Sequence, residues 1–136
     1  MILSFKQFVT EGKTIFDYLL FPPEGEELKI ATKIAKMRND RRYVYRGMSK
    51  KEWNTLKSKG EVVSLGKGNT RDIQGSYVAS DIQLAGRFAL RNWKDKVGGV
   101  LVTLEIDKLP ELQKADPGNF WVEKIPYNAV KDKYIL

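Results

Sequence analysis

The chain has no cysteine and no histidine. Without cysteine there is no disulfide and no thiolate metal site, which fits a reducing compartment. Without histidine there is no Ser-His-Asp triad, no imidazole general base and none of the usual zinc-hydrolase ligand sets. A metal is therefore not expected, and catalysis would fall to carboxylates, arginine, hydroxyls and the backbone. Long apolar runs are missing too. None approaches the ~20 residues of a membrane helix, so no membrane partner is expected. The short apolar start carries Lys6 and is not expected to be a secretory signal. What remains is ordinary for one domain with one core: 136 residues, 42% hydrophobic and 30% charged.

One charge sign is in excess. The net charge of +7 predicts attraction to polyanions: nucleic acid, phosphate-bearing ligands or an acidic partner. Solubility alone also accounts for it, since net charge informs association and not fold.

Periodicity divides the chain into a helical preface over residues 12–40 and an α+β body over 43–136. In "MILSFKQFVTE", Ile2, Phe5, Phe8 and Val9 share a face at helical spacing. "KTIFDYLLF" is apolar and closes on Pro22-Pro23. "EGEELKIATKIAKMRNDRR" predicts a helix, with acids at its start, Lys36 and Arg38 near its end, and Leu28, Ala31, Ile34 and Ala35 as its buried stripe. In the body, "YVYRGM" reads as a strand. Ser49 and Glu52 form a capping box for a helix that buries Trp53 and Leu56 and stops at Gly60. "EVVSL" and "SYVAS" read as strands, Asp81 as the cap of "IQLAGRFALRNW", "GGVLVTLEID" as a central strand and "FWVEKI" as another. "YNAVKDKYIL" predicts a turn and a last strand.

Three segments carry chemistry. "YVYRGMS" breaks a good strand with Arg46 and Gly47. A strand glycine often marks a place where a ligand approaches the backbone. An edge strand with a solvated arginine is the plainer alternative. "GSYVASDIQLAGRFA" leads a strand into a helix, and "FWVEKIPYNAVKDKYIL" follows late. In this order the segments resemble the ADP-ribosyltransferase superfamily, whose members cleave NAD at the nicotinamide–ribose bond. The resemblance spans about residues 43–136 and rests on short motifs.

It implies an ADP-ribosyltransferase-like split β-sheet core and NAD as cofactor. Arg46 would hold the phosphate or ribose region, as a permanently charged guanidinium suits. Gly47 would give its backbone N–H and C=O to the nicotinamide amide. Tyr77 and, eleven residues on, Phe88 would sandwich the nicotinamide ring. Ser80 is the nearest counterpart of a hydroxyl in the arginine-bearing branch. Glu123 would hydrogen-bond the ribose and stabilise its growing positive charge.

Several residues depart from the pattern. Ala85 stands where many relatives carry a serine. Trp121 stands where arginine-modifying members often carry Glu or Gln, so arginine targets are not expected. If the acid slot lies near Asn119, the chain has lost its acid; Glu105 is a fallback. Plain packing of Tyr77 and Phe88, and pairing of Glu123 with Lys124 or Lys131, stay open. The decisive expectation is geometric: Arg46, Tyr77, Phe88 and Glu123 should converge on one cleft.

The basic loop "GKGNTRDIQG" lacks Walker and Rossmann spacing. Lys67 and Arg71 are its candidate contacts to a nucleic-acid or acidic acceptor, and a solvated loop is the alternative. Finally, "MILSFKQFVTEGK" resembles the packaging peptide of internal head proteins of T-even-like tailed phages. That implies cleavage between Glu11 and Gly12, a place in the phage head, non-specific DNA association there, and the host cytoplasm after injection. The acceptor would be a host protein or nucleic acid. Two further functions stay open: an inactive ADP-ribosyltransferase-fold module that blocks a host or defence protein, and a basic DNA-associated head protein.

Overall fold

A computed structural model describes residues 13–63, 76–91, 98–115 and 117–136. The 1–11 peptide and the loop residues Lys67 and Arg71 lie outside the described residues. The architecture is mixed α+β. Its helices are α1 (Ile15–Tyr18), α2 (Gly25–Ala35), α3 (Lys50–Lys59) and α4 (Ile82–Leu90). Its strands are β1 (Tyr43–Met48), β2 (Glu61–Val62), β3 (Ser76–Ala79), β4 (Val100–Glu105), β5 (Gln113–Lys114), β6 (Asn119–Val122), β7 (Ile125–Pro126) and β8 (Val130–Ile135). Six strands form an antiparallel sheet in the order β5-β6-β3-β1-β4-β8, and β2 pairs with β7 in a separate ribbon. The strand expected to be central, β4, has a partner on each side, β1 and β8.

The sheet is covered on both faces. Val44, Met48, Val78, Val100, Val102, Leu104 and Val122 point to the α3 side, where Trp53 and Leu56 meet them. Tyr45, Ala79 and Leu101 point to the other side, against α1, α2 and α4. This is the period-two alternation of strands carried through four neighbours.

Local signals explain the helix ends. In α1, Thr14 Oγ1 accepts from Phe16 N and Asp17 accepts from Thr14 N, a capping box. Ser49 caps α3 by accepting from Glu52 N at 3.1 Å. The other half of that expected box is absent, because the Glu52 carboxylate is bonded to Arg46. Gly60 ends α3 at φ 82°, a left-handed conformation that glycine adopts freely. Asp81 caps α4 by accepting from Gln83 N at 3.0 Å.

The helical preface is tied to α4 by named bonds. The Gln83 side chain, 5% exposed, accepts from Ile15 N and donates to the carbonyls of Ile34 and Met37. Asn39 accepts from Ile82 N at 2.7 Å, and Tyr18 Oη donates to Asp81 at 2.7 Å. Arg91 grips Glu27 through Nε and Nη2 at 2.8 and 2.9 Å. One expectation for α2 fails: Leu28 is exposed, while Ala31 and Ile34 are buried. The face containing Glu27 and Ala31 meets α4, which turns Leu28 away.

Gly47 is fixed by packing. A Cβ there would stand 2.2 Å from the Ala85 carbonyl oxygen and 2.4 Å from Ala89 N. Ala85 and Ala89, small and buried, let the α4 backbone come down directly onto β1, while Gly86 makes room on the opposite side for Ile34 of α2. Gly47→Ala is therefore expected to destabilise the protein by about 3 kcal/mol, because both clashes are with backbone. Gly60→Ala, in open space at positive φ, should cost about 1 kcal/mol. Urea unfolding measures both, and equal losses would contradict the close-approach argument.

Acid titration should show the α2 anchor. Arg91 hydrogen-bonding holds the Glu27 carboxyl below its ordinary range, against the opposing effect of burial. Its stabilisation is thus present above the unfolded value of about 4.3 and is lost as pH falls through the depressed folded value. Glu27→Gln should cost about 1 kcal/mol at pH 7, and the gap to wild type should close below about pH 4.

Candidate functional site

The three motif-bearing strands are consecutive neighbours, β6-β3-β1. Their pairing is uneven. β3 and β6 share four register pairs, from Ser76↔Val122 to Ala79↔Asn119. β1 and β3 share one, Tyr45↔Ala79.

Backbone polarity shows what that leaves. Ser80 N donates to the Gly118 carbonyl, so Ser80, Val78 and Ser76 turn their backbone groups toward β6. Ala79 and Tyr77 therefore turn theirs toward β1, and Tyr45 and Gly47 turn theirs toward β3. Tyr45 finds its register partner; Gly47 has none on β3. The strands part at Gly47 and Tyr77, and the Tyr77 carbonyl accepts from Arg46 Nη1 at 2.7 Å instead of from a ladder N–H.

Arg46 lies on the α3 side of this opening. Its Nε and Nη2 donate to the two Glu52 oxygens at 2.5 and 2.9 Å, a bidentate pair. The two side chains are 18% and 21% exposed, so the pair is sheltered without being sealed. With one bond to Tyr77, three of the five N–H groups of the guanidinium are engaged. Ser76 stands on the same face of β3, and its buried hydroxyl has no hydrogen-bond partner.

Tyr77 lies on the other side. Its ring is 47% exposed and stacks on Trp121 with centroids 4.8 Å apart and planes 17° from parallel. Phe88 is 43% exposed, with Arg87 over its ring at 4.9 Å. Both flank Gly47: the Phe88 carbonyl carbon is 2.9 Å from where a Gly47 Cβ would be, and Tyr77 is the facing residue across the parted strands. Neither ring is core, so the plain-packing alternative applies to Trp121, which is buried beneath Tyr77, and not to these two.

The remaining candidates do not join Arg46. Glu123 follows β6 at an exposed bend. Its strand, β6, is two strands from the β1 of Arg46. Lys124, an expected partner for it, instead reaches Glu61 at 3.6 Å. Ser80 is exposed, and its hydroxyl donates to the Gly118 carbonyl at 3.4 Å. The fallback acid Glu105 is half-buried with Lys108 at 3.3 Å. Ala85, in the place of a serine, is buried under the β1–α4 contact. Of the four residues expected in one cleft, Tyr77 lies on the α4 side of the sheet and Arg46 on the α3 side, where its carboxylate partner is Glu52 and not Glu123.

Two residues of this region were not read as site residues from the sequence. Glu52 showed only its capping signal, and its bidentate role needs the fold that folds α3 back over β1. Trp121 was read as a missing acid, and its stacking requires the β3–β6 register. A separate groove of about 340 Å³ lies at the other end of β1, with Val44, Ile106, Leu112 and Phe120 among its apolar lining and Asn39, Asp40, Arg41 and Ser80 among its polar lining. Among the described residues no cluster of acidic side chains has the makings of a metal site, and no helix is long and apolar enough to cross a membrane.

No protein-family model matches the chain, and neither the curated proteins nor the solved structures contain a match to it.

A double-mutant cycle tests the strength of the pair. Arg46→Ala, Glu52→Ala and the double variant should give a coupling energy of about 1–2 kcal/mol, above exposed pairs and below fully buried ones. A value near zero in urea unfolding would show that solvent screens it.

Proposed function

We propose that this chain is an ADP-ribosyltransferase-like protein that binds NAD at the opening between β1 and β3 and transfers ADP-ribose to a host macromolecule. The observation that carries this reading is the end of the β1–β3 register at Tyr45↔Ala79, which leaves Gly47 without a register partner on β3. An amide such as that of nicotinamide has the complementary donor and acceptor. Tyr77 and Phe88 are both exposed aromatics, and such side chains suit a flat heteroaromatic ring. The two uncommitted N–H groups of Arg46 suit a diphosphate.

Glu123 takes the ribose in this reading. The N-glycosidic bond breaks, its electron pair leaves with nicotinamide, and positive charge builds on the ribose. A carboxylate lowers the energy of that state. The acceptor nucleophile then bonds to the ribose C1′ and releases its proton to solvent. Water in its place gives hydrolysis.

A second reading is a binding module without catalysis. The observation favouring it is that the carboxylate meeting the Arg46 guanidinium is Glu52 and not Glu123.

The experiment combines NAD calorimetry with nicotinamide release and transfer of labelled ADP-ribose. The expected results are saturable NAD binding, loss of binding in Tyr77→Ala, and nicotinamide release reduced about 100-fold or more in Glu123→Gln. Binding without release in the wild type removes the catalytic step and keeps the dinucleotide site. No binding at all sinks the dinucleotide role and selects the second reading.

A further inference from the structure

We infer that Glu52 is the positioning residue for Arg46: it holds the guanidinium so that its two remaining N–H groups face an anionic ligand at the strand opening. The inference rests on the dinucleotide reading above, and it adds a residue outside the motifs that suggested it.

The geometry carries it. Arginine has four rotatable side-chain bonds and loses considerable freedom when held in one pose. A single contact does not fix a planar fork. Two parallel bonds from Nε and Nη2 to one carboxylate do, at 2.5 and 2.9 Å. The Tyr77 carbonyl then sets the rotation of the far nitrogen, Nη1, at 2.7 Å.

Glu52 is itself held from behind. It lies in the first turn of α3, where its backbone N–H donates to the Ser49 cap. Trp53, the next residue, is 3% exposed and locked in the core. The helix start therefore cannot turn without breaking both. A chain of contacts runs from the Ser49 cap to the Glu52 carboxylate, to Arg46, to the carbonyl at the mouth of the opening. The unpartnered, 2% exposed Ser76 hydroxyl sits on the same face one residue before Tyr77. That face thus holds a buried polar atom still lacking a partner.

The charge balance separates positioning from simple attraction. Glu52 cancels the Arg46 charge, so as a purely electrostatic neighbour it opposes an anion, and its removal would tighten binding. As a positioning residue, its removal weakens binding although the site becomes more positive. The sign of the effect decides between the two.

The test uses the full chain as wild type, Glu52→Gln, Glu52→Ala and, as a control on α2, Lys29→Ala. The first readout is ligand-free: the 15N–1H signal of Arg46 Nε, assigned by its loss in Arg46→Lys. It is expected to be resolved and slow to exchange with solvent in wild type and Glu52→Gln, and averaged in Glu52→Ala. The second is NAD affinity by calorimetry. Glu52→Ala should weaken it about tenfold or more, and Glu52→Gln, which keeps an acceptor oxygen, should stay within about threefold of wild type. Unchanged Arg46 exchange in Glu52→Ala overturns the inference, as does tighter NAD binding by that variant. If wild type binds no NAD while the Arg46 signal behaves as expected, the dinucleotide reading fails and the Arg46–Glu52 lock is established on its own.

Discussion

The backbone contact between β1 and α4 is the constraint on which this structure depends. A strand and a helix normally keep their backbones apart by the thickness of side chains. At Gly47 that spacing is absent, and the space a Cβ would take is filled by the carbonyl of Ala85 and the N–H of Ala89. The close seat of α4 brings the Phe88 backbone onto β1, while Phe88 as a residue stays exposed. It places Gln83 and Asp81 where they collect α1 and α2, since both sit in the first turn or cap of that helix. Through Ala89 and Leu90 it receives the start of β4, whose approach is secured by Gly99 N donating to the Ala89 carbonyl at 2.7 Å. One absent methyl group thus sets the height of a whole layer.

Two arginine–carboxylate pairs are sheltered among the described residues, and they do different work. Arg91–Glu27 joins the end of α4 to α2, and only packing depends on it. Arg46–Glu52 joins β1 to α3 beside strands that have parted. A desolvated pair is weak evidence for stability, because desolvation offsets much of its attraction. Its value lies in fixing orientation. At Arg46 there is something to orient: a guanidinium with donors left over, next to backbone groups with no ladder partner.

Much of the fold was legible in the residues. Capping residues at Ser49 and Asp81 and the glycine stop at Gly60 act over a few positions, and each sits where its chemistry places it. The alternation in β1, β3 and β4 predicts which side chains meet which layer. Long-range partners were not legible. Leu28 reads as stripe by spacing, yet Arg91, sixty-four residues away, draws Glu27 inward and leaves Leu28 outside. Gly47 was read as room for a ligand; nothing local distinguishes that from room for a helix. The motif residues did come to adjacent strands, but a sheet has two faces. Motif order carries strand adjacency and leaves the face of Glu123 undetermined.

The division between faces bears on the chemistry itself. A ligand lying wholly on one side of the sheet meets either Arg46 or the Tyr77–Phe88 pair. A dinucleotide is long enough to meet both only by crossing the edge where β1 and β3 separate, with its nicotinamide end at Gly47 and its diphosphate turned toward α3. That path satisfies the Gly47 backbone, an exposed aromatic pair and a half-committed guanidinium together. It also assigns the two carboxylates distinct duties. In the proposed reading Glu123 would serve the ribose end, where charge develops, and Glu52 the phosphate end, where it would hold Arg46, because a carboxylate aimed at a diphosphate repels it. In the proposed reading, the two acids would therefore set the direction in which NAD lies.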